Sequence, residues 1–158
     1  MPQTKRTPAG EALSNLILDL FRLNSLLFTA GDRMVAGLGL TSARWQILGA
    51  IIAAERPQPV AWLARDLGAA RQNVQRIVND LQRDGLVTFE TNPHHRRAQL
   101  VVLTEKGRHA FEAAMRLQLP WVNGLSDGLS MKDIETVSRV VSTLRGRLES
   151  GQEPDDHA

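Results

Sequence analysis

The stretch of chain that decides the fold runs from Val60 to Gly107 and reads VAWLARDLGAARQNVQRIVNDLQRDGLVTFETNPHHRRAQLVVLTEKG. Four apolar residues recur at helical spacing in its first part: Val60, Leu63, Ala64 and Leu67. They predict a short helix, and Gly68 follows where a residue without a Cβ can end a helix sharply. Four more predict the buried stripe of a second helix: Val74, Ile77, Val78 and Leu81. Two such helices joined by a short turn have the proportions of a helix-turn-helix.

The other face of the second helix carries amide and guanidinium groups, on Arg71, Gln72, Asn73, Gln75, Arg76 and Asn79. In the major groove of DNA, arginine forms two hydrogen bonds with guanine, and asparagine or glutamine forms two with adenine. An ordinary solvated helix face is the alternative, since surface helices are normally polar. The lack of Lys/Glu pairs and the helix-turn-helix proportions favour base recognition.

Two β-prone runs follow the helix-breaking Asp84-Gly85, namely residues 86–89 and 99–103. They predict a two-stranded hairpin, or wing, whose turn carries His95, Arg96 and Arg97. Such a turn can lie along the DNA backbone and push an arginine into the minor groove, where the negative potential is strongest. A solvated loop is the alternative, and the neighbouring recognition helix favours the DNA contact.

The two ends of the chain carry apolar stripes that alternate spacings of three and four residues. The stripes are Leu13, Leu16, Leu20, Leu23 and Leu27 near one end and Ile134, Val137, Val141, Leu144 and Leu148 near the other. A helix from Thr104 to about Ser126, kinked at Pro120, and a last helix capped by Ser130 and Asp133 complete the prediction. We expect these terminal helices to form a homodimer, with an intramolecular helix pair as the alternative.

Length and charge suggest one domain with polar ends. We expect a flexible segment over residues 1–9, a single domain over 10–148 and an acidic, disordered tail over 149–158. Within the domain, the DNA-binding lobe covers about 40–103, and the dimerisation helices cover about 10–38 and 104–148. The fold class is mainly α with a small β-hairpin wing. The net charge is only +2, but without the last ten residues the chain has 19 basic and 13 acidic groups, a net charge of +6.

Several functional classes find no support in the sequence. No nucleophile with an ordered base, paired carboxylates or phosphate-binding glycine loop is recognisable, so we expect neither an enzyme nor a cofactor. His94 and His95 stand together without cysteine or a carboxylate cluster, which disfavours a metal site. Cysteine is absent, which excludes disulfides and thiol-based sensing. No signal peptide or apolar run of membrane length is seen, so we expect no membrane partner and a cytoplasmic location.

The order and spacing of these segments resemble the MarR family of bacterial transcriptional regulators. The resemblance covers about residues 12 to 148 and rests on the order of these segments: 40–48 (LTSARWQIL), 63–68 (LARDLG), 74–81 with 84–87, and 92–97 leading to 103–107. It implies a homodimer that binds a pseudo-palindromic operator and often releases it when a small, frequently aromatic, ligand binds. It also places Arg97 at the position of the wing arginine that enters the minor groove, and Arg96 nearer the phosphates.

Two positions depart from the family pattern. The family usually has aspartate just before the wing arginines, where this chain has His95. It also commonly caps the recognition helix with Ser or Thr, where this chain has Ala69 and Ala70. Loss of a side-chain cap costs about 1 kcal/mol of helix stability.

A small effector would need a cavity between the dimerisation helices and the DNA-binding lobe. Trp45 and Trp121 could line it, and Arg44 could pair with a ligand carboxylate, although packing in a core or dimer is the alternative for both tryptophans. The sequence therefore predicts a MarR-like homodimeric repressor released by a small ligand. A winged-helix module that binds protein, and an enzyme acting on small molecules, are the alternative classes.

Overall fold

The computed structural model describes residues 5–151, which contain six α-helices and three short strands. The elements are α1 (Pro8–Val35), α2 (Ser42–Ala53), β1 (Gln58–Pro59), α3 (Val60–Leu67), α4 (Arg71–Arg83), β2 (Val87–Glu90), β3 (Leu100–Leu103), α5 (Glu105–Ser126) and α6 (Met131–Ser150). A short 3₁₀ turn, Ala36–Leu38, follows α1. The predicted fold class, mainly α with a small β wing, is confirmed.

The chain divides into two compact units, Met1–Leu119 and Pro120–Ala158, with the boundary inside α5. The sequence had suggested a single domain. The dimerisation helices were predicted over about residues 10–38 and 104–148, and Val35 of α1 and Ala114 of α5 are buried in the core of the first unit. The carboxyl end of α1 and the first half of α5 therefore also contribute to that core.

That core is built around the apolar stripe of α4. All four predicted residues, Val74, Ile77, Val78 and Leu81, are buried, together with apolar residues of α2, α3 and the sheet. Full burial of such a side chain contributes about 1.5–3 kcal/mol. The stripe therefore holds α4 in one rotational setting, with its polar face outward.

The short helix α3 packs on the same core. Val60, Leu63 and Ala64 are buried, and Leu67 is half-buried against the core. Gly68 ends the helix at φ 61°, the left-handed conformation that glycine adopts without steric penalty. The predicted helix and its stop are confirmed.

The wing is part of a three-stranded antiparallel sheet in the order β1-β3-β2, where the sequence had predicted two strands. Phe89 pairs with Val101 in the hairpin, and Pro59 of the additional strand pairs with Leu100. Strand β2 has the predicted length but is shifted by one residue, from Val87 to Glu90, and β3 is one residue shorter than predicted, because Gln99 lies outside it. The added strand β1 ties the start of α3 directly to the wing.

Side-chain caps set the starts of the long helices. Thr104 Oγ1 accepts from the Gly107 N–H at 3.0 Å and donates to the Gly85 carbonyl at 2.7 Å, which fixes the start of α5 against the end of α4. Ser130 Oγ accepts from the Asp133 N–H at 3.1 Å, as predicted for α6. In a capping box, the side chain three residues into the helix accepts from the backbone N–H of the cap residue. Here the Asp133 carboxylate instead accepts from the Ser130 hydroxyl at 2.7 Å.

Parts of the two ends that were predicted to be flexible are helical. The Thr7 side chain caps α1, so residues 8 and 9 are helical. At the other end α6 includes Glu149 and Ser150, because the helical hydrogen bonding continues through them. Residues 1–4 and 152–158 lie outside the described part of the chain.

Between residues 5 and 151, no single helix is long and apolar enough to cross a membrane. By length and composition alone, Pro8–Leu38 and Ser42–Ala53 would reach that limit as a pair, and the two segments are bent by 81°.

Candidate nucleic-acid interface

The polar face of α4 is the first part of the candidate interface. Arg71, Gln72, Asn73, Arg76 and Asn79 are exposed, and Gln75 is half-buried. As predicted, Ala70 precedes the helix without a side-chain cap. The first backbone N–H groups of α4 therefore find no side-chain acceptor at Ala70, and they point toward the start of the helix.

Hydrogen bonds along α4 organise this face. Gln75 Nε2 donates to Asn79 Oδ1 at 2.9 Å, and Arg76 Nη2 donates to Asn73 Oδ1 at 2.9 Å. Side chains three or four positions apart lie one above the other on a helix, which makes both pairs possible. Each pair holds amide or guanidinium groups in place while further donors remain available.

A groove of about 440 Å³ lies between α4 and the wing, and we call it the inner groove. Its lining includes Arg71, Gln75 and Asn79 from α4 and Arg97 from the wing turn. The fold thus brings four predicted DNA-contacting residues from two separate segments into one groove. Gln72, Asn73 and Arg76 lie elsewhere on α4 and do not line it, and His95 and Arg96 are exposed in the wing turn.

The wing turn is held by Asn92, a residue that the sequence reading did not single out. This residue is 8% exposed, and its Oδ1 accepts from the His94 N–H at 3.0 Å. The Asn92 carbonyl accepts from the His95 N–H at 3.3 Å, and the His95 carbonyl accepts from the Ala98 N–H at 3.0 Å. Asn92-Pro93 is a turn-initiating pair, so this signal was present in the sequence.

The predicted ligand-binding residues have structural partners of their own. Arg44 forms an ion pair with Asp84 at 2.7 Å, and Trp45 is half-buried against the core of the first unit. Trp121 belongs to the second unit, where it is half-buried. Their roles in ligand binding stay predictions.

The predicted dimerisation stripes leave apolar surface open on the single chain. On α1, Leu16, Leu23 and Leu27 are exposed, and Leu13 and Leu20 are half-buried. On α6, four residues are exposed and Leu144 is half-buried; the exposed ones are Ile134, Val137, Val141 and Leu148. The sequence reading missed further exposed apolar residues on α1, among them Phe21 and Leu26, because they fall beside the stripe that it followed.

Across residues 5–151, no group of three or more His, Cys, Asp or Glu side chains is placed to hold a metal ion. The architecture is a three-stranded sheet, a helix-turn-helix and an inner groove that joins the polar face of the second helix to a basic wing. These features define the winged helix-turn-helix class.

Comparisons with known proteins identify the family within that class. Residues 38–98 match the family model described as MarR family. An uncharacterised protein of Mycobacterium tuberculosis is 39% identical over 120 residues, which cover 76% of this chain and 82% of that protein. The transcriptional activatory protein BadR of Rhodopseudomonas palustris is 35% identical over 107 residues, 65% of this chain and 59% of BadR.

Solved structures of transcriptional regulators have the same fold as this chain. The M. tuberculosis transcriptional regulator MosR in complex with DNA has a TM-score of 0.74 at 25% identity, covering 87% of this chain and 98% of that one. The organohalide-sensing regulator RdhR-CbdbA1625, in its 2,4-dichlorophenol-bound form, has a TM-score of 0.80 at 16% identity, covering 98% and 93%. The chain belongs to the MarR family of transcription regulators. This family and the structural neighbours regulate transcription and are not enzymes.

Proposed function

We propose that this chain is a homodimeric repressor that binds a pseudo-palindromic DNA operator through α4 and the wing and releases it when a small ligand binds. The observation that carries the proposal is the inner groove, in which Arg71, Gln75 and Asn79 of α4 are joined by Arg97 of the wing. A helix that enters the major groove and a wing that reaches the adjacent minor groove would use these two parts together.

The chemistry of the α4 face suits base edges. Arg71 and Arg76 carry guanidinium groups that fit guanine, and Asn73 and Asn79 carry amides that fit adenine. The Arg76–Asn73 and Gln75–Asn79 pairs restrict these side chains before DNA arrives. A restricted side chain loses less conformational entropy when it binds, so the pairs favour affinity.

The exposed apolar stripes of α1 and α6 support the dimer. An exposed apolar stripe on a helix of a single chain is typical of an interaction site. A second copy of the chain would cover both stripes and would set two α4 helices about one turn of DNA apart, as a two-fold symmetric operator requires.

Release by a ligand is supported by the half-buried Trp45 with Arg44 beside it in the chain, by the half-buried Trp121, and by a structural neighbour solved with 2,4-dichlorophenol. The direction of regulation also needs a direct test, because BadR is named as an activatory protein. A reporter gene behind the bound promoter, with and without the protein, separates repression from activation.

A winged-helix module that binds only protein is the alternative, and salt dependence distinguishes the two. We expect duplex DNA, followed by fluorescence anisotropy, to bind with an affinity that falls steeply as salt rises, because phosphate neutralisation releases counterions. Arg96→Gln removes the wing arginine expected to lie nearer the phosphates, so it should weaken binding and lower the salt slope by about 1. The control Arg139→Gln changes an exposed arginine of α6 and should leave both values unchanged. Absence of DNA binding at low salt would remove the proposed function.

A further inference from the structure

A second cleft, of about 430 Å³, lies on the wing and α3, and we call it the outer cleft. Its lining includes Arg56, Pro59, Trp62, Pro93, His94 and Leu100. It shares Pro59 with the inner groove, so the two clefts are neighbours at the start of α3. No carboxylate is among the lining residues, while Arg56 and His94 are.

The strand register places residues of the two clefts on different faces of the hairpin. Phe89, which lines the inner groove, pairs with Val101, whereas Leu100, which lines the outer cleft, pairs with Pro59. Neighbouring residues of a strand point to opposite faces, so Phe89 and Leu100 lie on opposite faces of the wing. Pro59, in the edge strand, lines both clefts.

Trp62 is the prominent side chain of the outer cleft. It is 54% exposed, although a large aromatic residue gains most by burial. The Arg65 guanidinium lies over its ring at 5.7 Å from the centroid, which adds a cation beside the cleft. An apolar surface beside two arginines is complementary to a DNA strand. A deoxyribose can pack on the apolar surface while the neighbouring phosphates pair with Arg56 and Arg65.

We infer that the outer cleft binds the DNA backbone that flanks the operator, and this inference rests on the proposed function. When a wing inserts into the minor groove, DNA continues on both of its sides. The inner groove faces the operator, and the duplex beyond the wing meets the opposite face. Trp62 packs against a deoxyribose there, and Arg56 and Arg65 contact phosphates. This contact reads no bases, so it adds affinity without adding sequence preference.

The test varies the length of the DNA together with the protein. Two duplexes carry the same operator core, obtained by selection from random sequence, one with about one helical turn of fixed flank on each side and one without. Wild-type protein should bind the long duplex at least about five-fold more tightly at equal salt. Trp62→Ala and Arg56→Gln should each reduce that ratio to below about two-fold while binding the short duplex like wild type. Arg139→Gln, in α6, should keep the wild-type ratio.

Thermal unfolding checks that Trp62→Ala still folds, and Trp62→Phe, which keeps an aromatic ring, should retain part of the ratio. A long-to-short ratio that is the same in wild type and both cleft variants would overturn the inference. This is also the result expected if the cleft binds an acidic peptide or a small anion in place of flanking DNA. This outcome leaves operator binding itself intact. Failure of wild-type protein to select any duplex would instead remove the proposed function, and the flank contact with it.

Discussion

Arg44 Nη1 donates to Asp84 Oδ2 at 2.7 Å and to the Gly39 carbonyl at 3.2 Å, so one guanidinium joins α2, the turn before it and the end of α4. Lys106 adds a bond from Nζ to the Asp84 carbonyl at 2.7 Å. The carboxyl end of α4 is thus held from both α2 and α5. This anchoring stabilises the position of the helix proposed to enter the major groove.

Double-mutant cycles can measure the Arg44–Asp84 ion pair. The side chains are 20% and 45% exposed, so we expect a coupling of about 0.5–1 kcal/mol from urea unfolding of Arg44→Ala, Asp84→Ala and the double variant. The control is the Arg22–Asp19 pair, whose side chains are 76% and 72% exposed and which should couple less. Equal coupling in the two pairs would contradict this account of Arg44.

At Gly107, α5 approaches the base of the wing closely. A Cβ on Gly107 would collide with the Leu86 carbonyl, which is backbone and cannot rotate away. Gly107→Ala should therefore lower the free energy of unfolding by about 1–3 kcal/mol. Gly146→Ala in α6, where a Cβ meets nothing within 4 Å, should be neutral or stabilising, since alanine favours helix over glycine. A stable Gly107→Ala variant would argue against the close packing.

Two charged substitutions test the dimer. Leu20→Glu with Val141→Glu places a carboxylate in each apolar stripe, and we expect a monomer or an unfolded chain by light scattering and circular dichroism. Asn15→Glu with Thr143→Glu adds the same charge at exposed polar positions of the same two helices and should leave the dimer intact. A well-folded wild-type monomer at micromolar concentration would refute the proposed assembly.

The wing arginines should differ in their effect on DNA binding. Arg97 lines the inner groove, whereas Arg96 is exposed in the turn beside it. We expect Arg97→Ala to weaken operator binding strongly and Arg96→Ala less so, as measured by anisotropy at fixed salt. Equal losses would indicate that both arginines only neutralise phosphates.

The local patterns of the DNA-binding lobe could be predicted from sequence, and its longer-range pairing could not. The stripe from Val74 to Leu81 and the caps at Thr104 and Ser130 were predicted because each depends on neighbours within one or two helical turns. Strand β1 has only two residues, one of them a proline, and it forms because it pairs with Leu100 and Val101, which are distant in the sequence. Arg44 and Asp84 are similarly far apart in the sequence, so the residues around Arg44 do not predict this ion pair.

The most direct test of sequence-specific, dimeric DNA binding is selection of bound fragments from random duplexes, followed by the same selection with Asn73→Ala and Arg76→Ala. We predict a two-fold symmetric motif with half-sites about ten base pairs apart for the wild type. Each variant should relax preference at particular positions, at a cost of about 1–3 kcal/mol for each lost bidentate contact. Selection without any enriched motif, or a wild-type motif that both variants reproduce unchanged, would contradict the proposal that α4 reads the operator.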